Sequence, residues 1–83
     1  MRELVKNSKN KVVGLKQTRR AINEGKTKMV YLAKDVEPHL FEEIQSLCRE
    51  NQVEVVYIEN MKQLGEACGI DIKAASAAML NRD

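Results

Sequence analysis

The chain has 83 residues, 43% of them hydrophobic and 31% charged, which bounds it to one globular domain with a core too small for a large cavity. Its net charge is only +2, yet residues 1–28 carry nine Lys and Arg against two acids, and residues 29–83 carry five against ten. A first third at +7 and a remainder at −5 point to one cationic surface aimed at a polyanion, and argue against a membrane-surface protein or a general DNA coat, which favour positive charge all round.

Residues 11–14 read as a short strand. Behind the valines Val12 and Val13, residues 14–25 read as a glycine bend and a short helix. Leu15, Thr18 and Ile22 return to one side of that helix, while Lys16, Arg20 and Asn23 fall on the opposite side with Arg19 at its flank. Gly14 permits a bend that a side chain resists, and Gly25 marks the helix stop. From this pattern alone two readings stand level: a basic face that is merely solvated, or a surface for a polyanion.

Residues 28–33, K-M-V-Y-L-A, are continuously apolar after the lysine, as in a strand covered on both faces. Residues 34–38 form the loop out of it, with Pro38 suited to the first helical position. The helix that follows reaches Glu50 and carries a stripe of Leu40, Phe41, Ile44, Leu47 and Cys48, with Glu42 and Glu43 expected toward water. Residues 53–58, V-E-V-V-Y-I, are a β-branched strand.

Asn60 resembles an N-cap with Gln63 as its partner three positions on, and Leu64, Ala67 and Cys68 line the buried side of the helix that Gly69 ends. Gly65 inside that helix costs about 1 kcal/mol relative to alanine, which implies close approach to another backbone. Residues 74–80, A-A-S-A-A-M-L, suit a helix by propensity. They are read as a strand because the chain alternates and small residues fit a central strand with helices on both faces. The order β-α-β-α-β-α-β defines an α/β fold: a three-layer α/β/α sandwich, a single domain over residues 1–83, with a four-stranded mixed sheet.

Signs of catalysis are sparse. His39, the only histidine, falls in a first helical turn with no nucleophile near it in sequence, and Asp35 and Glu37 match ordinary helix-start acids. Neither G-x-x-x-x-G-K-[ST] nor G-x-G-x-x-G occurs. Cys48 and Cys68 have neither a disulfide framework nor a metal spacing and read as buried thiols. The expectation is a protein that is not an enzyme and needs no cofactor or metal. With no signal-peptide pattern in residues 1–8 and no apolar run of spanning length, it is expected in the cytoplasm, away from membranes.

Three segments carry a resemblance: G-L-K-Q-T-R-R at 14–20, A-K-D-V-E-P at 33–38, and I-E-N-M-K-Q-L-G-E-A-C-G at 58–69. In this order and spacing they resemble the kink-turn RNA-binding ribosomal protein family, the L-seven-Ae and L-thirty-e group, over nearly the whole chain. The short length and the I-E-N-M variant look most like its small bacterial ribosomal-protein-like members. The resemblance implies that the helix begun by Gly14 and Leu15 enters the widened major groove at the kink, where two sheared G·A pairs expose guanine edges.

Lys16, Gln17 and Arg20 stand where the family commonly has Asn, Glu and Lys; the Lys-Gln pair resembles the bacterial branch. Gln17 keeps an acceptor, Lys16 suits guanine acceptors or a phosphate, and Arg20 offers a fork for O6 and N7. Arg19 and Lys34 are assigned to the same RNA surface. Ile58, Glu59, Asn60 and Met61 are implied to pack against the base extruded from the kink, with Glu37 and Phe41 beside it. Ile58 and Phe41 also read as core, and Met61 as exposed.

The partner implied is a structured RNA containing a kink-turn, within ribosomal RNA or a riboswitch, bound by a monomer, with the ribosome as one candidate setting. The other reading kept open is a protein-interaction module that sits on ribonucleoprotein particles through its acidic face and binds RNA weakly.

Overall fold

The computed structural model describes residues 10–81, so Arg2, Lys6 and Lys9 of the basic first third lie outside the described residues. Seven elements follow one another: β1 (Lys11–Val13), α1 (Leu15–Asn23), β2 (Thr27–Ala33), α2 (Pro38–Glu50), β3 (Glu54–Ile58), α3 (Met61–Cys68) and β4 (Ser76–Leu80). They form the expected mixed sheet, in the order β1-β4-β2-β3. β4 runs antiparallel to both its neighbours, and β2 and β3 are parallel. β1, β2 and β3 therefore point the same way, and their carboxyl ends share one edge of the sheet with the start of β4.

The ambiguous stretch 74–80 is a central strand from Ser76 onward, with Ala74 and Ala75 still in the approach to it. Ser76, Ala77 and Ala78 are fully buried, which only small side chains allow between close layers. Alternation along the strands assigns the faces. Leu32 of β2 lies across from Ser76 on one side and Tyr57 on the other. On this face the Ser76 hydroxyl donates to Thr18 Oγ1 of α1 at 3.0 Å, and Tyr57 stacks on Phe41 of α2 with ring centres 5.7 Å apart. α1 and α2 cover that side, and α3 packs on the opposite one against β2, β3 and β4.

The helical wheel of α1 is right in outline. Thr18 and Ile22 are buried, and Ala21 joins them, whereas Leu15 at the helix start is half-buried. β2 is covered on both faces as its unbroken apolar run implies: Val30, Leu32 and Ala33 are wholly buried and Tyr31 nearly so. In α2 the stripe holds, with Ile44 and Cys48 fully buried at its centre. Glu42 and Glu43 are exposed as expected, and Glu43 in addition reaches toward α1, its Oε2 lying 3.0 Å from Arg19 Nε, because the two helices lie side by side on one face.

Both cysteines are buried free thiols. Desolvation pushes the Cys48 thiol from its ordinary 9.0 up to about 11. Burial likewise raises Cys68 and the Tyr31 phenol. These groups ionise earlier in the unfolded chain than in the folded one. The stability that the neutral Cys48 thiol contributes is complete below about pH 9 and is lost as pH climbs toward 11. The Tm is therefore expected to fall across that window, and Cys48→Ala to flatten the fall. A variant that keeps the wild-type slope would remove Cys48 as a cause.

Candidate functional site

The shared sheet edge gathers the loops that follow β1, β2 and β3, the place where open α/β sheets usually hold ligands. Backbone bonds stitch it laterally. The Gly14 amide donates to the Ser76 carbonyl (2.8 Å), Ala33 to Ala75 (3.0 Å), and Lys34 to Ile58 (2.9 Å). All three sequence segments singled out above, 14–20, 33–38 and 58–69, thus begin or meet on one line.

The two outer helix starts are finished differently. Gly14, at φ 114° and ψ 156°, occupies a region open essentially to glycine alone and turns β1 directly into α1. It has no side chain, so no side-chain cap closes the first turn of α1, and first-turn amides face outward at the positive end of the helix. α3 is closed instead. Asn60 Oδ1 accepts from the Gln63 amide at 2.8 Å, the expected cap, and Asp35 Oδ1 from the β2–α2 loop accepts from the Met61 amide at 2.9 Å.

Beside the open start of α1, Lys16 and Gln17 are exposed, and Arg20 projects with 78% of its side chain in solvent. Glu24, one turn on, takes the Arg20 Nε–H at 3.1 Å and also Lys26 Nζ at 3.1 Å. Lys26 first and then Arg20 hold the Glu24 carboxyl below its usual range. Arg19 is placed otherwise: it turns toward α2 and Glu43, and its Nε lies within ion-pair distance without hydrogen-bond alignment. The basic flank is accordingly Lys16 and Arg20, with Arg19 at the junction of the two helices.

On the β2–α2 side, Lys34 and Glu37 are exposed. His39 Nδ1 lies 2.6 Å from Glu37 Oε1, both side chains largely in solvent. An open depression of about 340 Å³ is lined by Lys34, Val36, Pro38, Phe41 and Glu42, so Phe41 serves both the stack on Tyr57 and this wall. Of the β3–α3 residues, Glu59 is exposed and the Asn60 side chain is occupied as a cap. Ile58 is buried, its packing explaining it fully, and its carbonyl ties down Lys34. Met61 is half-buried against the core rather than exposed, because Asp35 and the 74–75 segment hold its backbone in place.

Three residues reach this region without having been singled out for it. Asp35 passed as a routine helix-start acid, but its carboxylate serves a helix 26 residues away. Ile72, 73% exposed, and Lys73 lie on the segment that returns from the far end of α3 to the start of β4, where the Ala74 amide meets the Met61 carbonyl at 3.0 Å. Gly65 was the signal for that return path: a β-carbon there would lie 2.1 Å from the Ile72 carbonyl oxygen. Among the described residues no group of three or more His, Cys, Asp or Glu could hold a metal ion, and no helix is long and apolar enough to cross a membrane.

Fold and edge together define a class: a three-layer α/β/α protein that presents the open start of α1 and two tied loops along the carboxyl edge of its sheet. The chain belongs to the ribosomal protein L7Ae/L30e/S12e/Gadd45 family, whose family model matches residues 2–83. It is 48% identical over 68 residues to RNA-binding protein TTE2299 of Caldanaerobacter subterraneus subsp. tengcongensis, covering 82% of this chain and 83% of that one. It is 36% identical over 77 residues to RNA-binding protein BH0128 of Halalkalibacterium halodurans, covering 93% and 94%. In fold it is similar to the 15.5kD RNA binding protein of Giardia lamblia, with a TM-score of 0.89 at 24% identity over 99% of this chain and 72% of that one.

Proposed function

We propose that the protein binds kink-turn motifs in structured RNA and stabilises the kinked conformation, without catalysing a reaction. The observation that carries this reading is the open start of α1, with Lys16, Gln17 and Arg20 beside it, at the same sheet edge as the 33–38 and 58–61 loops. The family membership and the RNA-binding names of its relatives support it.

In this mechanism α1 enters the widened groove. First-turn amides near Leu15 face phosphate or base acceptors, Arg20 forks onto guanine O6 and N7, Gln17 pairs with a neighbouring edge, and Lys16 takes an acceptor or a phosphate. The depression walled by Lys34, Pro38 and Phe41 receives the extruded base, with the exposed Glu37 lying in sequence between its lining residues Val36 and Pro38. Arg19 contributes through the field at the α1–α2 junction. The RNA samples extended and bent states, and a protein that binds only the bent one raises its population. The whole chain acts as one monomeric RNA-binding domain in the cytoplasm, on ribosomal RNA or a riboswitch.

A gel-shift titration against a kink-turn duplex and the same duplex with both G·A pairs replaced tests this. The kink-turn is expected to bind more tightly, and equal affinity would overturn the reading. Arg20→Ala is expected to cost about 1–3 kcal/mol on the kink-turn and to relax discrimination, with Gln17→Ala acting in the same direction. Lys16→Ala should also lower the salt dependence if its contact is a phosphate.

A further inference from the structure

We propose that Asp35 is a positioning residue for RNA recognition: its carboxylate fixes the 58–61 loop against the 34–38 loop so that the two form one surface for the extruded base. The inference rests on the proposed function and names a residue that touches no RNA itself. Asp35 is exposed and lies in the β2–α2 loop, yet its Oδ1 receives the amide of Met61, the first residue of α3. One residue earlier the Lys34 amide is bonded to the Ile58 carbonyl, so the two adjacent residues Lys34 and Asp35 hold the 58–61 segment at both of its ends.

Met61 is also where a third segment joins, its carbonyl accepting from the Ala74 amide. Three stretches distant in sequence are therefore fixed through one residue, and Asp35 is the side chain that fixes it. The Asn60 side chain caps the Gln63 amide instead, so Asp35 is the side chain that serves the Met61 amide. Without Asp35 the Met61 amide loses its acceptor, and the exposed edge of the loop, Glu59 above all, is free to shift relative to Glu37 and the depression beside it.

The role depends on an acceptor oxygen at the Asp35 position, which asparagine retains and alanine does not. The test uses the full chain, Asp35→Ala and Asp35→Asn, against a kink-turn duplex and the same duplex made abasic at the extruded nucleotide. Asp35→Ala is expected to bind the intact duplex about tenfold more weakly, the scale of one charge-assisted hydrogen bond, and the abasic duplex within about twofold of wild type.

Asp35→Asn should restore most of the affinity. Amide exchange followed by NMR should show Met61 exchanging faster in Asp35→Ala and near wild type in Asp35→Asn. Unchanged affinity in Asp35→Ala, an equal loss on both duplexes, or failure of asparagine to restore binding would overturn the inference. A wild-type chain that cannot tell the kink-turn from its G·A-replaced counterpart overturns the proposed function instead. A wild-type chain that can, beside an unaffected Asp35→Ala, overturns this inference alone.

Discussion

Gly65→Ala is expected to destabilise the protein by about 2–3 kcal/mol, the upper part of the range for overpacking a close contact. Two effects oppose one another. Alanine is a better helix former than glycine by about 1 kcal/mol, which favours the variant. Against it, the new β-carbon would stand 2.1 Å from the Ile72 carbonyl oxygen and 3.1 Å from both the Ile72 carbonyl carbon and the Lys73 α-carbon. All three are backbone atoms, so no rotamer change relieves the contact. Either α3 lifts from the sheet, exposing the buried Leu64, or the 70–75 segment moves and strains the entry to the central strand β4. Chemical denaturation of wild type and variant would measure the difference, and a variant at least as stable as wild type would show that the return segment yields cheaply. Because Ile72 and Lys73 lead to Met61, the same variant is also expected to weaken RNA binding at temperatures where it remains folded.

The order of elements was legible because each carries its own period: the buried run of β2, the stripe of α2, the β-branched β3, and the Asn60 cap of α3. The small-residue stretch before Leu80 is ambiguous on its own, a helix by propensity, and reads as a strand from the alternation of elements and from the fit of alanine and serine between close layers. Strand directions were not legible, because periodicity in a strand says which residues share a face and nothing about the neighbour. With β4 antiparallel, residues 70–75 must run back along α3, and that brings Ile72 beside Gly65 and, two residues on, Ala74 to Met61 at the candidate edge.

Of the site, the exposed Lys16 and Arg20 followed from the helical wheel, whereas Gln17 was picked out only by the family resemblance. The fates of Arg19 and Asp35 did not, because each is decided by a residue on another element, Glu43 in one case and Met61 in the other. Local spacing registers partners within a turn, such as Arg20 and Glu24, and is blind to those that tertiary packing supplies.

Gly14→Ala is expected to cost about 1–3 kcal/mol of stability, through backbone strain rather than crowding. At φ 114° and ψ 156° an L side chain meets its own backbone, whereas the added β-carbon has only Gln17 Oε1 close by, at 2.9 Å, and that is the movable end of a flexible chain. Relief comes by rotating the bend toward an allowed region, which pulls against the Gly14–Ser76 bond that fastens α1 to the sheet edge. The start of α1 then turns, its first amides lose their aim, and Gln17 is pushed aside.

If α1 is the part that enters the RNA, affinity for the kink-turn falls by about tenfold even where the variant is fully folded, on the scale of one lost base or phosphate contact. A double-mutant cycle separates the routes. Should the loss run through Gln17, Gly14→Ala in a Gln17→Ala background weakens binding much less than in wild type; should it run through the amides, the loss persists. Reduced stability with undiminished affinity would place the RNA elsewhere on the molecule, since no contact at the helix start survives a change in the direction of the helix.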